Sequence, residues 1–62
     1  MRHLPRFEIF KDTAGEWRFR LISQNGRILC QSEGYTRRTR AREGVNALCV
    51  AAAKAKTIVI PR

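Results

Sequence analysis

Sixty-two residues make one domain and leave no room for two. A chain this short buries only about 60% of its unfolded surface, so its core is thin and self-association is a common remedy. The formal charge is +8, and no segment approaches the ~20 consecutive apolar residues that a membrane-spanning helix needs.

The charge is uneven. Residues 37–62 carry seven Lys/Arg against one acid, Glu43, whereas residues 1–36 carry six against four. That balance suits polyanionic partners: nucleic acid, an anionic membrane surface or an acidic protein. No apolar run follows the basic N-terminus, so no signal peptide is expected and the default location is cytoplasmic.

Residues 1–5 read as a loose lead-in containing His3, the single histidine. Residues 6–11 read as a first strand, with Phe7 and Ile9 at strand period. Asp12-Thr13-Ala14-Gly15 is a turn, in which Asp bonds its own downstream backbone and Gly15 supplies a positive φ. Residues 16–23 alternate. Trp17, Phe19 and Leu21 point one way, and Glu16, Arg18 and Arg20 the other, which predicts a strand half-buried in an antiparallel sheet.

Asn25-Gly26 predicts a two-residue type I′ hairpin turn. Residues 27–32 form the third predicted strand, with Ile28 and Cys30 facing the core. Gly34 suits a sharp change of direction through a positive φ. Thr36 is the expected N-cap of the following helix, with Tyr35 placed to pack back upon it. Ala41, Val45, Leu48 and Ala52 form an apolar stripe at helical spacing, and alanines extend the helix to Ala53 or Ala55. Gly44 weakens that helix by roughly 1 kcal/mol relative to Ala, so its expected use is close approach to the sheet.

The pattern predicts an α+β fold: a three-stranded antiparallel β-meander packed on one α-helix, with a core of about residues 6–55. In it, Trp17, Phe19 and Leu21 meet Ala41, Val45 and Leu48. The β-branched run Thr57-Ile58-Val59-Ile60 is too apolar for a solvated tail. It is read as a short fourth strand, added either to its own sheet or to the sheet edge of another copy. Ile58, Val59 and Ile60 are therefore the candidate dimerisation residues.

Taken in order, Phe7-Glu8-Ile9-Phe10-Lys11-Asp12, Gly15-Glu16-Trp17-Arg18-Phe19-Arg20-Leu21, Asn25-Gly26 and Ser32-Glu33-Gly34-Tyr35-Thr36 resemble the YegP-like bacterial domain of unknown function. The resemblance covers about residues 6–48. It implies a three-stranded antiparallel sheet with one helix, found singly or in tandem, the single units tending to be homodimers, with no established biochemical activity. The arginine-rich helix start, the alanine-rich helix end and the 57–60 run depart from the usual pattern of that family.

Arg37, Arg38, Arg40 and Arg42 are the candidate polyanion-binding residues. Cations at a helix N-terminus oppose the macrodipole, a conflict relieved if a phosphate or carboxylate docks there. Arg18, Arg20 and Arg27 on the solvent face of the sheet form a secondary set, with Glu8 and Glu16 expected to pair across strands with Arg18 and Arg20. Phe7, Trp17 and Phe19 are read as core rather than as base-stacking platforms.

No catalytic constellation is visible. His3 stands alone, no CxxC pair exists, and Cys30 and Cys49 fall at core-facing positions where a thiolate is disfavoured. No metal or other cofactor is expected. A Cys30–Cys49 disulfide is one arrangement; two reduced core thiols are the commoner one. The sequence thus points to a small, basic, non-enzymatic binding protein for a polyanion such as nucleic acid. The alternative is a homodimeric structural or protein-interaction module, whose charge serves solubility or an acidic partner.

Overall fold

The computed structural model describes residues 4–61; His3 and Arg62 lie outside them. Three strands, β1 (Arg6–Lys11), β2 (Trp17–Ile22) and β3 (Ile28–Gln31), form an antiparallel sheet in the order β1-β2-β3, followed by helix α1 (Arg38–Lys54). β1 and β2 pair in register from Arg6 opposite Ile22 to Lys11 opposite Trp17.

Both hairpins close with the same three-residue loop. In the first, Gly15 N–H donates to the Asp12 carbonyl at 3.0 Å, and Asp12 N–H donates to the Glu16 carbonyl at 2.8 Å. In the second, Gly26 N–H donates to the Ser23 carbonyl at 3.0 Å, and Ser23 N–H to the Arg27 carbonyl at 2.8 Å. The last loop residue is a glycine at φ 84° in each case. This is a turn followed by a left-handed glycine. It replaces the type I′ turn expected at Asn25-Gly26, because Asn25 does not adopt a positive φ.

β3 is shorter than expected, but the chain stays beside β2 after it. Ser32 N–H donates to the Phe19 carbonyl, and Ser32 Oγ accepts from Phe19 N–H, both at 2.9 Å. Tyr35 and Trp17 then exchange two backbone hydrogen bonds of 2.7 Å. The turn into the helix therefore hangs from the start of β2. Gly34 achieves this without a positive φ, contrary to expectation. The helix begins at Arg38 with Arg37 as the cap residue and no side-chain capping bond, so Thr36 is not the cap.

The helix lies across β2 and β1 and does not reach β3. Phe19, 6% exposed, Ile22, 4%, and Ala41, 0%, are the buried apolar residues. Burying Phe19 and Ile22 contributes about 1.5–3 kcal/mol each. Phe7 packs edge-on against Phe19 at a centroid distance of 6.0 Å. Gly44 has the expected role: a Cβ there would stand 2.9 Å from both Phe19 Cε2 and Tyr35 Oη. Val45 and Leu48 are half-buried, whereas Ala52 is already exposed as the helix runs past the sheet.

This placement overturns the core assignment of β3. Ile28 is 53% exposed, and Cys30 and Cys49 are exposed free thiols. Between Leu21 and Ile22 the β2–β3 register shifts, so Cys30 faces Leu21 while Ile28 faces Ile22. Regular alternation is lost there, and no helix covers that strand. Residues 57–60 add no strand to their own sheet; Ile58, Val59 and Ile60 are exposed.

Candidate functional site

Helix geometry divides the four candidate arginines. Arg38 and Arg42 are one turn apart, and with Thr39 they line a cleft of about 460 Å³. Its other wall is Ile9 of β1 and Trp17 of β2. Arg40 instead reaches Glu43 at 3.3 Å in an exposed contact. Arg37 is exposed at the cap position. Among the described residues, Arg37, Arg38 and Arg42 have no carboxylate partner within ion-pair distance. The first helical turn contains no acid, and no acid lines the cleft.

Lys11, opposite Trp17 in the β1–β2 register, places its ammonium 5.9 Å from the Trp17 ring centroid. The helix start, Arg38, Arg42 and Lys11 therefore gather positive potential around a half-buried indole. Phe19 is buried as expected of a core residue, Phe7 is half-buried edge-on against it, and Trp17, also half-buried, presents part of its surface to the cleft. Alternation correctly put Trp17 on the helix-facing side. Nothing local to it in the chain signals that Arg38 and Arg42 arrive beside it.

The sheet arginines are occupied differently. Arg18 Nε donates to Asp12 Oδ2 at 2.6 Å, and Arg18 Nη1 to the Ser32 carbonyl at 2.9 Å. The expected Glu16 partner is replaced by Asp12, which also accepts from Ala14 N–H at 2.9 Å and Glu16 N–H at 2.8 Å. Arg20 donates to Glu8 at 2.8 Å, as expected, and its guanidinium lies 4.6 Å from the Phe10 ring centroid. Arg6 adds a second bond to Glu8 at 2.8 Å. These bonds hold both carboxyls below their ordinary values: Glu8 chiefly through Arg20, then Arg6, and Asp12 chiefly through Arg18, then the Glu16 N–H. Arg18 and Arg20 thus brace the sheet. Arg27 is exposed beside a separate hollow with Pro5, Gln24, Asn25 and Leu29, away from the helix arginines.

Among the described residues, no group of three or more His, Cys, Asp or Glu is placed to hold a metal ion, and no helix is long and apolar enough to cross a membrane.

Residues 12–58 match a family model described as a domain of unknown function, DUF1508. A UPF0339 protein of Methanosarcina acetivorans is 33% identical over 57 residues, covering 92% of this chain and 98% of that one. A UPF0339 protein of Neisseria meningitidis serogroup B is 45% identical over 42 residues, covering 68% and 75%. A UPF0339 protein of Agrobacterium fabrum is 60% identical over 30 residues, only 48% of either chain. The solution structure of a protein from Haloferax volcanii superimposes with a TM-score of 0.81 at 35% identity, covering 90% of this chain and 95% of that one. The resemblance seen in the strand and turn residues is therefore real and reaches beyond bacteria: the chain belongs to the YegP-like family of unknown function, DUF1508, with UPF0339 relatives in bacteria and archaea.

Proposed function

We propose that this protein is a small, non-enzymatic binder of polyanions, with nucleic acid as the first partner class. The observation that carries the reading is the pair Arg38 and Arg42. They lie on one face of a helix start that has no side-chain cap and no acid in its first turn, and neither has a carboxylate partner among the described residues. Arginines placed there oppose the helix dipole, and a bound phosphate removes the conflict. Arg37 adds to this cluster, and Arg40 joins it when it leaves its exposed contact with Glu43, a pair of the kind that contributes little. The sheet arginines contribute less, since Arg18 and Arg20 are engaged within the fold.

The test is a titration of the purified protein with single- and double-stranded DNA and RNA across salt, with heparin as the nonspecific polyanion. Micromolar or tighter binding at physiological salt, tighter than to heparin, supports the reading. Binding that vanishes by physiological salt makes the charge incidental.

A second reading has its own observation. β3 is left uncovered by the helix, with Ile28 and Leu29 53% and 62% exposed, and Ile58, Val59 and Ile60 are exposed as well. Large apolar side chains left in water along an uncovered edge strand favour association. In this reading, 58–60 of one copy pairs with the edge of another, and the protein is a homodimeric interaction module.

A further inference from the structure

The cleft between Trp17 and the helix start has a composition that phosphate binding alone does not require. One wall is apolar and aromatic, Ile9 and Trp17; the other is cationic, Arg38 and Arg42, with Thr39 between them. Lys11 adds a third cation at the indole. A site for phosphate alone needs donors and positive charge; the indole brings one N–H, but its ring face, electron-rich, and the Ile9 side chain offer an anion neither. The volume, about 460 Å³, lies in the range of small-molecule sites and admits one base.

Resting on the polyanion reading above, we propose that the cleft takes one unpaired base of a single-stranded nucleic acid. The base stacks on Trp17, while Arg38, Arg42 and Lys11 contact the phosphates that flank it. A base within a duplex has both faces covered by its neighbours, so it cannot stack on an indole without leaving the helix. Aromatic platforms within a cationic groove bind single strands with little sequence preference, since every base has a π face. The arrangement therefore selects strandedness rather than sequence.

Trp17 is the single tryptophan of the chain, so its fluorescence reports on this cleft without any substitution. The full chain is titrated with three probes: a single-stranded oligodeoxythymidine, an abasic strand with the same number of phosphates, and a duplex of the same length. The oligodeoxythymidine is expected to quench Trp17 and to bind about 5- to 150-fold more tightly than the abasic strand, the range that one stacked base provides. The abasic strand binds through its phosphates without comparable quenching. Equal affinity for the base-bearing and abasic strands overturns the stacking site and leaves the polyanion reading standing. Tighter binding of the duplex than of the single strand also overturns it. No binding of any probe at physiological salt overturns both. Trp17→Phe, followed with a labelled strand, separates stacking from chance proximity. It should lower affinity for the base-bearing strand while leaving the abasic strand unchanged, whereas Arg42→Gln should weaken both alike; a Trp17→Phe loss equal for the two strands overturns stacking.

Discussion

Gly44 and Phe19 meet so closely that a Cβ on the glycine would stand 2.9 Å from Cε2 of the buried ring. The same Cβ would stand 2.9 Å from Tyr35 Oη, so the helix is seated between the centre of β2 and the residue that leads into it. Gly44→Ala sets two effects against each other. Helix propensity improves by about 1 kcal/mol. Overpacking against a ring that has nowhere to move costs about 1–3 kcal/mol. The expected result is a net loss of roughly 1 kcal/mol, measured by urea denaturation. A variant as stable as the parent would mean that the helix slides without cost.

Asp12 joins the first turn to the sheet, accepting two backbone N–H groups and the Arg18 guanidinium. Its folded pKa, like that of Glu8, is depressed. Depressed carboxyls contribute stability that is present above their unfolded values, about 4, and lost as pH falls through the folded ones. Thermal stability should therefore decline on acidification below about pH 4. Asp12→Asn, which keeps an oxygen for the backbone donors and loses the charge, should flatten that decline. Asp12→Ala should lower the midpoint further at neutral pH. An unchanged acid profile in Asp12→Asn would assign the pH dependence elsewhere.

Replacing Arg37, Arg38, Arg40 and Arg42 with Gln should abolish nucleic-acid binding while leaving the circular dichroism spectrum intact. If all four contact phosphates, the parent should show a log–log salt slope of roughly −3 to −4. Unchanged affinity in the quadruple variant would remove these residues from the interface.

The same arginines should be destabilising in the absence of a polyanion. Each cation in the first helical turn costs about 0.3–1 kcal/mol against the dipole. Arg37→Gln with Arg38→Gln should therefore raise the unfolding free energy at low salt by about 0.6–2 kcal/mol. A gain in stability coupled to a loss of binding is the signature of charge retained for a ligand. A loss of stability would indicate that these side chains hold the fold.

Deleting residues 57–62 removes the exposed Ile58, Val59 and Ile60. If these residues cover another copy's β3 edge, sedimentation equilibrium should show a weaker dimer after the deletion. An equally tight dimer in the truncated chain would rule out strand donation, and attention would shift to Ile28 and Leu29.

Much of the architecture was legible because its determinants are local. Alternation at Trp17, Phe19 and Leu21 marked β2, the Asp12 and Asn25 segments marked the turns, and the Ala41–Leu48 spacing marked the helix. Local signals were also where the finer misreadings arose. Asn-Gly favours type I′, yet a three-residue loop ending on Gly26 satisfies the same glycine preference. Thr36 has a capping side chain, but the chain is still held near β2 by the Tyr35–Trp17 pairing, and the helix starts after Arg37.

The order of three strands and a helix and the turn glycines at 15 and 26 are written in the local sequence. These follow from periods of 2 and 3.6 residues and from backbone preferences, which act over a few neighbours. Where the helix lies is set by packing between residues far apart in the chain. Its seat on β2 and β1 leaves β3 uncovered and Cys30 exposed, and it brings Arg38 and Arg42 beside Trp17, about twenty residues earlier in the chain. That placement is set by packing among Gly44, Phe19 and Tyr35, contacts between distant residues that no local pattern encodes.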